Sequence, residues 1–302
     1  MLEIARDAGL SALVDAGARV ETLASGFEFT EGPLWTPDGT LLFQDVKAER
    51  TYRLPPGGPA RVLREATGAA NGQTFAPDGR VVFCEQNGRR VSVMNLDGTG
   101  VETLTETFAG ERLNSPNDVV CRGSDGLVYF TDPPYGAPPD RPLDFQGVYA
   151  LDFAQAAGGP RLLIPDFEKP NGLAFSPDEK TLYVCDTAKY HVRAFEVEPS
   201  GDLKPGPGRV AAVLDPGEPG GPDGIKVDRA GRLYVAVALG IWVFEPDGAL
   251  LGIIRLPKRP SNLAWCDADA KGLAVTAGDT VSMVRLGVAG VLPPFTPAGP
   301  GR

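Results

Sequence analysis

The stretch KPNGLAFSPDEKTLYVCD, residues 169 to 186, runs from a polar opening into a short apolar run, a polar turn and a second apolar run, the pattern of strand, turn and strand. It begins on an amide, Asn171, where a buried strand would favour an apolar residue. The pattern recurs. EGPLWTPDGTLLFQD starts at Glu31, NGQTFAPDGRVVFCE at Asn71, NDVVCRGSDGLVYFTD at Asn117, DGIKVDRAGRLYVAV at Asp223 and NLAWCDADAKGLAVTAG at Asn262. The opening residues are spaced by 40, 46, 54, 52 and 39 positions, a repeat of about 46 residues, in the range of four-stranded propeller blades. PDG, SDG and RAG supply the Asp and Gly that tight hairpins use. Two further strand-like runs follow each hairpin, such as RVSVMN and VETLTE in the second repeat or GIWVFEP and LLGIIRLP in the fifth.

The sixth repeat lacks its last strand, because VSMVRL leads into the Pro/Gly-rich LPPFTPAGPGR. GARVETLASGF, residues 17 to 27, resembles GVETLTETF, residues 100 to 108, the fourth strand of the second repeat. The N-terminal segment is therefore expected to complete the sixth blade and remove the open sheet edge. The prediction is an all-β chain: one six-bladed β-propeller over residues 1–302, with four-stranded antiparallel blades and the ring closed by the N-terminal strand. Residues 1–16 form an extension carrying a short helix within 3–15, and residues 288–302 a tail.

Innermost strands line a propeller's channel, so Glu31, Asn71, Asn117, Asn171, Asp223 and Asn262 should converge on the axis. Two carboxylates and four amides offer oxygen ligands and suit a hard cation such as Ca²⁺ or Mg²⁺ better than a structural Zn²⁺. Without a cation the carboxylates would repel each other. In a single copy, Asn-Gly or Asp-Gly is more simply a turn starter; six copies at one ring position favour the metal site. The strand-end acids Asp45, Glu85, Asp132 and Asp186 are expected to fix neighbouring backbone groups. Trp35, Trp242 and Trp265 lie in apolar runs and read as core or channel wall. The proline-rich loop of residues 132 to 147 is too long for a tight hairpin and reads as a rim over the channel mouth.

A formal charge of −10 and the lack of a basic cluster argue against nucleic acid or anionic membrane as partners. No run reaches membrane-spanning length, and the N-terminal segment, with Glu3 and Asp7 around Arg6, lacks a signal peptide's charge pattern, so a cytoplasmic protein is expected. The four cysteines fall singly in strand-like runs and read as free thiols. One histidine, His191, excludes a histidine dyad, and no GxSxG elbow supports a serine triad.

EGPLWTPDG, RLNSPNDVV, YFTDPPYG, KPNGLAFSPDEKTLYVCDT and GPDGIKVD, in that order, resemble the gluconolactonase / regucalcin (senescence marker protein-like) family of six-bladed propellers, especially its bacterial gluconolactonase branch. The resemblance covers nearly the whole chain. It implies a divalent cation on the axis, Ca²⁺ first, with Mg²⁺, Mn²⁺ or Zn²⁺ as alternatives. Its ligands would be Glu31, Asn117, Asn171 and Asp223, with Asp223 also as general base or nucleophile. Asn71, Asn114 and Glu85 are the expected substrate contacts. Gln86 stands where many gluconolactonase-like sequences carry histidine, and Ser115 where regucalcin-like members carry arginine. The activity implied is metal-dependent hydrolysis of a glucono-1,5-lactone-like sugar lactone to its aldonic acid, in a monomer or homodimer. Organophosphate or non-sugar lactone hydrolysis at the same site, and a non-catalytic calcium-binding propeller, are the alternatives.

Overall fold

Each hairpin of the repeat becomes the inner half of a four-stranded antiparallel sheet, and six sheets stand around one axis. The computed structural model describes residues 2–15, 17–214, 217 and 220–296. Blade 1 runs outward through Thr30–Trp35, Leu41–Asp45, Arg50–Leu54 and Arg61–Glu65, and blade 2 through Ala70–Phe75, Val81–Glu85, Arg90–Met94 and Glu102–Thr105. Blade 3 is Val119–Cys121, Leu127–Asp132, Gln146–Asp152 and Arg161–Phe167; blade 4 is Pro170–Phe175, Thr181–Asp186, His191–Glu196 and Arg209–Val213. Blade 5 uses Ile225–Val227, Leu233–Val237, Gly240–Phe244 and Leu250–Arg255, with Ile4–Ala5 as a fifth, outermost strand.

Blade 6 begins with Pro260–Cys266, Gly272–Ala277 and Thr280–Arg285, and its fourth strand comes from the other end of the chain. Val20–Ser25 pairs antiparallel with Thr280–Arg285, from Val20 opposite Val284 to Ser25 opposite Thr280. The closure expected from the sequence is thus observed. The helix expected within 3–15 is smaller than predicted. Leu10–Leu13 make one 3₁₀ turn, while Ile4 and Ala5 are drawn into the edge of blade 5, opposite Ile254 and Ile253.

The core is divided among the blade interfaces. Six clusters of buried apolar side chains each join two neighbouring blades, from Leu34 and Leu42 against Phe75 and Phe83 between blades 1 and 2 to Phe43 against Ala274 and Val281 between blades 1 and 6. Each buried Leu, Ile, Val or Phe contributes about 1.5–3 kcal/mol of transfer free energy, so every blade depends on both neighbours. Cys84, Cys121, Cys185 and Cys266 are free and lie within these clusters. Among the described residues no helix is long and apolar enough to cross a membrane.

Candidate active site

The residues that open the six repeats sit where the innermost strands depart from regular pairing. The ladder is irregular between Glu31 and Leu34, Ala70 and Gln73, Pro170 and Leu173, and Pro260 and Asn262. Asn117 and Asp223 lie just ahead of their short inner strands. Such irregularities re-aim a side chain out of the alternating pattern, and here they turn it toward the axis.

The glycine that follows four of these residues serves blade packing, not a turn. A Cβ at Gly32, whose φ is +48°, would lie 2.0 Å from the Asn71 carbonyl oxygen. At Gly172 it would lie 2.4 Å from the Asp223 carbonyl oxygen, to which the Gly172 N–H donates at 3.1 Å. Adjacent inner strands therefore approach as closely as backbones can.

Strand-end acids set the approach to these positions, as expected. Asp45 accepts from the Glu28 and Phe29 N–H groups at 2.9 and 3.0 Å, Asp132 from Asn114 and Ser115 at 2.8 and 2.7 Å, and Asp186 from Glu168 and Lys169 at 3.0 Å each. In each blade the clamped amides are three and two residues before Glu31, Asn117 or Asn171.

Glu31, Asn71, Asn117, Asn171 and Asp223 line one cavity of about 570 Å³, within the range typical of small-molecule sites. Glu31 is 3% exposed, and its Oε2 accepts from the Gly32 N–H at 2.8 Å. Burial, reinforced by the Asp223 charge, holds its carboxyl well above the usual carboxylate range. Asp223 is half-buried; desolvation pushes it up to about 7, and the Arg259 charge opposes the rise. The Asn171 amide is fixed by donating to the Tyr135 hydroxyl at 3.2 Å and the Thr187 hydroxyl at 3.1 Å, leaving its carbonyl oxygen available as a ligand. Thr187 in turn donates to the Pro222 carbonyl oxygen at 2.7 Å, beside Asp223.

The donor set fits a hard cation. Two carboxylates held above their normal pKa, the buried Asn71 Oδ1 with no hydrogen-bond partner, and the free Asn171 oxygen face one space. Among the described residues no three His, Cys, Asp or Glu side chains cluster as a metal site, so a cation here requires the amide oxygens.

Residues 29–279 match the family described as SMP-30/Gluconolactonase/LRE-like region. The chain belongs to that family. It is 30% identical to the gluconolactonase of Zymomonas mobilis over 305 residues, covering 91% of this chain and 83% of the relative. A pentonolactonase of Haloferax volcanii is 28% identical, covering 82% of this chain and 80% of the relative. In structure it resembles a gluconolactonase of Xanthomonas campestris, with a TM-score of 0.85 and 34% identity over 95% of each chain. This member of the SMP-30/gluconolactonase family is a lactone hydrolase.

Three positions differ from the sequence reading. Asn262 is outside the cavity because it stands one residue past the ring position, with its Oδ1 accepting from the Leu263 N–H at 2.8 Å as Asp118 does from Val119; Ser261 takes the ring position and lines the cavity. Glu85, expected to touch substrate, is fully buried as a brace, bonded by both oxygens to Arg90 at 2.9 Å and by one to the Ser92 hydroxyl at 2.6 Å. Asn114, also expected at the substrate, is fully buried and donates to the Asp132 and Phe145 carbonyl oxygens. Of the two departures from the family pattern, Gln86 lines the cavity. Ser115 does not: it donates to the Gln86 carbonyl oxygen at 3.2 Å and accepts from the Gly136 N–H at 2.8 Å, tethering the 132–147 loop.

That loop reaches the site through Tyr135, and Thr187 reaches it from beside Asp186; both lie in motifs that carry the family resemblance, yet the repeat assigns neither to the site. Asp118 was also missed. It is buried beneath the cavity, with Oδ2 unpartnered, and burial raises its carboxyl while Lys226 opposes the rise. At the other end of the channel a separate cavity of about 150 Å³ is walled by Trp35, Trp265 and residues 291–294 of the tail.

Proposed function

We propose that this lactone hydrolase opens sugar lactones of the glucono-1,5-lactone kind to aldonic acids, at a divalent cation, Ca²⁺ in first place, held by Glu31, Asn117, Asn171 and Asp223. The observation that carries the reading is the convergence of two carboxylates, both with raised pKa, and the amide oxygens on one cavity. The bound cation would supply Lewis-acid polarisation of the lactone carbonyl and offset the charge its oxygen develops.

The chain's own groups do the rest. Asp223 accepts a hydrogen bond from the attacking water and takes its proton as the oxygen bonds to the carbonyl carbon. The ring C–O bond then breaks, and the same proton passes to the departing alkoxide, giving a hydroxyl and a carboxylic acid, which loses its remaining proton to solvent. An ordinary carboxylate is a weak base for this task. Fixing the water and offsetting charge carry more of the rate than proton abstraction, because a carboxylate shared with a cation loses basicity. Tyr135 and Thr187 hold Asn171 in place, so its oxygen need not be ordered during the reaction.

The test is turnover of glucono-1,5-lactone by protein stripped with chelator and then given Ca²⁺, Mg²⁺, Mn²⁺ or Zn²⁺ separately. Loss on stripping and recovery with a cation is expected. Full turnover by stripped protein would remove the cation from the reaction, and no turnover with any cation would remove the sugar lactone.

A further inference from the structure

Three cations stand on the wall of the same cavity: Lys47, Lys169 and Arg259. Fifteen lysine and arginine side chains among the described residues have no carboxylate within salt-bridge distance, and these three are the ones that line this cavity. Acids close by in sequence are already used, Glu168 by Lys189 and Asp279 by Lys258. The ammonium groups rest on aromatic walls of the cavity, Lys47 at 5.7 Å from the Phe29 ring centre and Lys169 at 5.4 Å from that of Tyr135.

Charge balance points the same way. Three cations against Glu31 and Asp223 leave the cavity with one net positive charge when both acids are ionised, and a bound divalent cation raises this to three. The chain as a whole carries −10. A neutral sugar lactone presents hydroxyl, ring and carbonyl oxygens, which accept hydrogen bonds from these cations but carry no charge to balance the excess. Gathered like charges repel, and within the cavity only Glu31 and Asp223 oppose the three, which favours a partner of opposite sign.

We infer that the preferred substrate is an anionic lactone, one carrying a carboxylate, sulfonate or phosphate away from the ring carbonyl, bound by Lys47, Lys169 and Arg259. The inference rests on the lactone hydrolysis proposed above and adds the substrate's charge. The new carboxylate of the product forms at the carbonyl carbon, so cations serving only that group would favour charged and uncharged lactones alike.

The experiment compares kcat/KM, on cation-loaded protein, for glucono-1,5-lactone bearing a hydroxyl, carboxylate, sulfonate or phosphate at carbon 6. At least one charged form should exceed the hydroxyl parent by tenfold or more at low salt, with the advantage shrinking as ionic strength rises. In the double variant Lys169→Met, Arg259→Met the ratio of charged to uncharged should fall toward one. Calorimetry with the open-chain products, diacid against monoacid, should show the same preference without turnover. Turnover of the hydroxyl parent with no preference for any charged form, or a preference that survives the double variant, would overturn the inference and leave lactone hydrolysis standing. No turnover of any of the four would overturn lactone hydrolysis itself and this inference with it.

Discussion

Replacing Gly172 by alanine tests whether the close approach of inner strands sets the spacing of the site. The new Cβ would lie 2.4 Å from the Asp223 carbonyl oxygen, 2.7 Å from the Gly224 Cα and 2.8 Å from the Ile225 nitrogen, all backbone atoms with no flexible side chain to yield. Ordinary contact begins near 3.4 Å, so blades 4 and 5 must separate by about 1 Å at the level of Asn171 and Asp223. Gly172 does not have a positive φ, so the cost is steric and not conformational. Overpacking of this kind costs about 1–3 kcal/mol, a fall in Tm of roughly 2–5 °C for a chain of this size. The effect on chemistry should be larger in proportion, since a misplacement of about 1 Å can cost 10²-fold in rate. The assay is a thermal melt with kcat/KM on a lactone, using Gly158→Ala as control, because a Cβ there meets open space. If Gly172→Ala melts with the wild type and turns over normally, the strands are not packed backbone to backbone, and the argument for the site's spacing fails.

Asp223→Asn keeps the side-chain shape and removes the base; kcat should fall about 10²–10⁴-fold, and near-normal turnover with the cation still bound would take the role from Asp223. Tyr135→Phe removes one of the two acceptors that fix the Asn171 amide; cation affinity measured by calorimetry should weaken about 10–100-fold, and unchanged affinity would show that Asn171 is placed by other means. Asp132 gives a pH test: burial pushes its carboxyl from 3.8 up to about 7, with the Asn114 and Ser115 N–H groups opposing. A carboxyl that holds its proton more tightly when folded subtracts nothing below the unfolded value, and subtracts progressively more as pH rises through about 7. The urea midpoint of wild type minus that of Asp132→Asn should therefore be larger at pH 5 than at pH 8, and a difference independent of pH would rule out the raised pKa.

The fold was legible because blades repeat. Six copies of one hairpin pattern averaged out local ambiguity, and GARVETLASGF could be matched to GVETLTETF without knowing where either lies in space. The cavity floor was legible for the same reason, since Glu31, Asn71, Asn117, Asn171 and Asp223 occupy one repeat position. What failed was equating a repeat position with a direction. In blade 6 the apparent match was one residue out of register: Asn262 stands where Asp118 does, and Ser261, whose carbonyl oxygen accepts from Gly224 as that of Asn117 does from Gly72, takes the ring position. Glu85 shares the strand-end position of Asp45 and Asp132, but its extra methylene lets it turn to Arg90. Tyr135 and Lys169 lie inside motifs already recognised and Arg259 between repeated hairpins, but the repeat assigns none of them a direction, and only the folded ring brings them to one mouth.

The opening amide and the glycine behind it answer two different demands. Asn171 faces a cavity that calls for an oxygen, and Gly172 faces the carbonyl of the next blade's site residue, Asp223. The same relation runs from Gly32 to Asn71 and from Gly72 to the Asn117 carbonyl oxygen and Asp118, whose Oδ1 lies 2.1 Å from where a Cβ would stand. Asn71, Asn117 and Asp223 are therefore each placed against the glycine of the preceding blade, whereas the blades before Glu31 and Asn171 carry Asn262 and Asp118 at that point. The spacing of these site residues therefore depends on neighbouring blades staying in contact around the ring. Opening the sixth blade by removing residues 17–27 would disturb Glu31 and Asp223 alike, although neither touches the deleted strand.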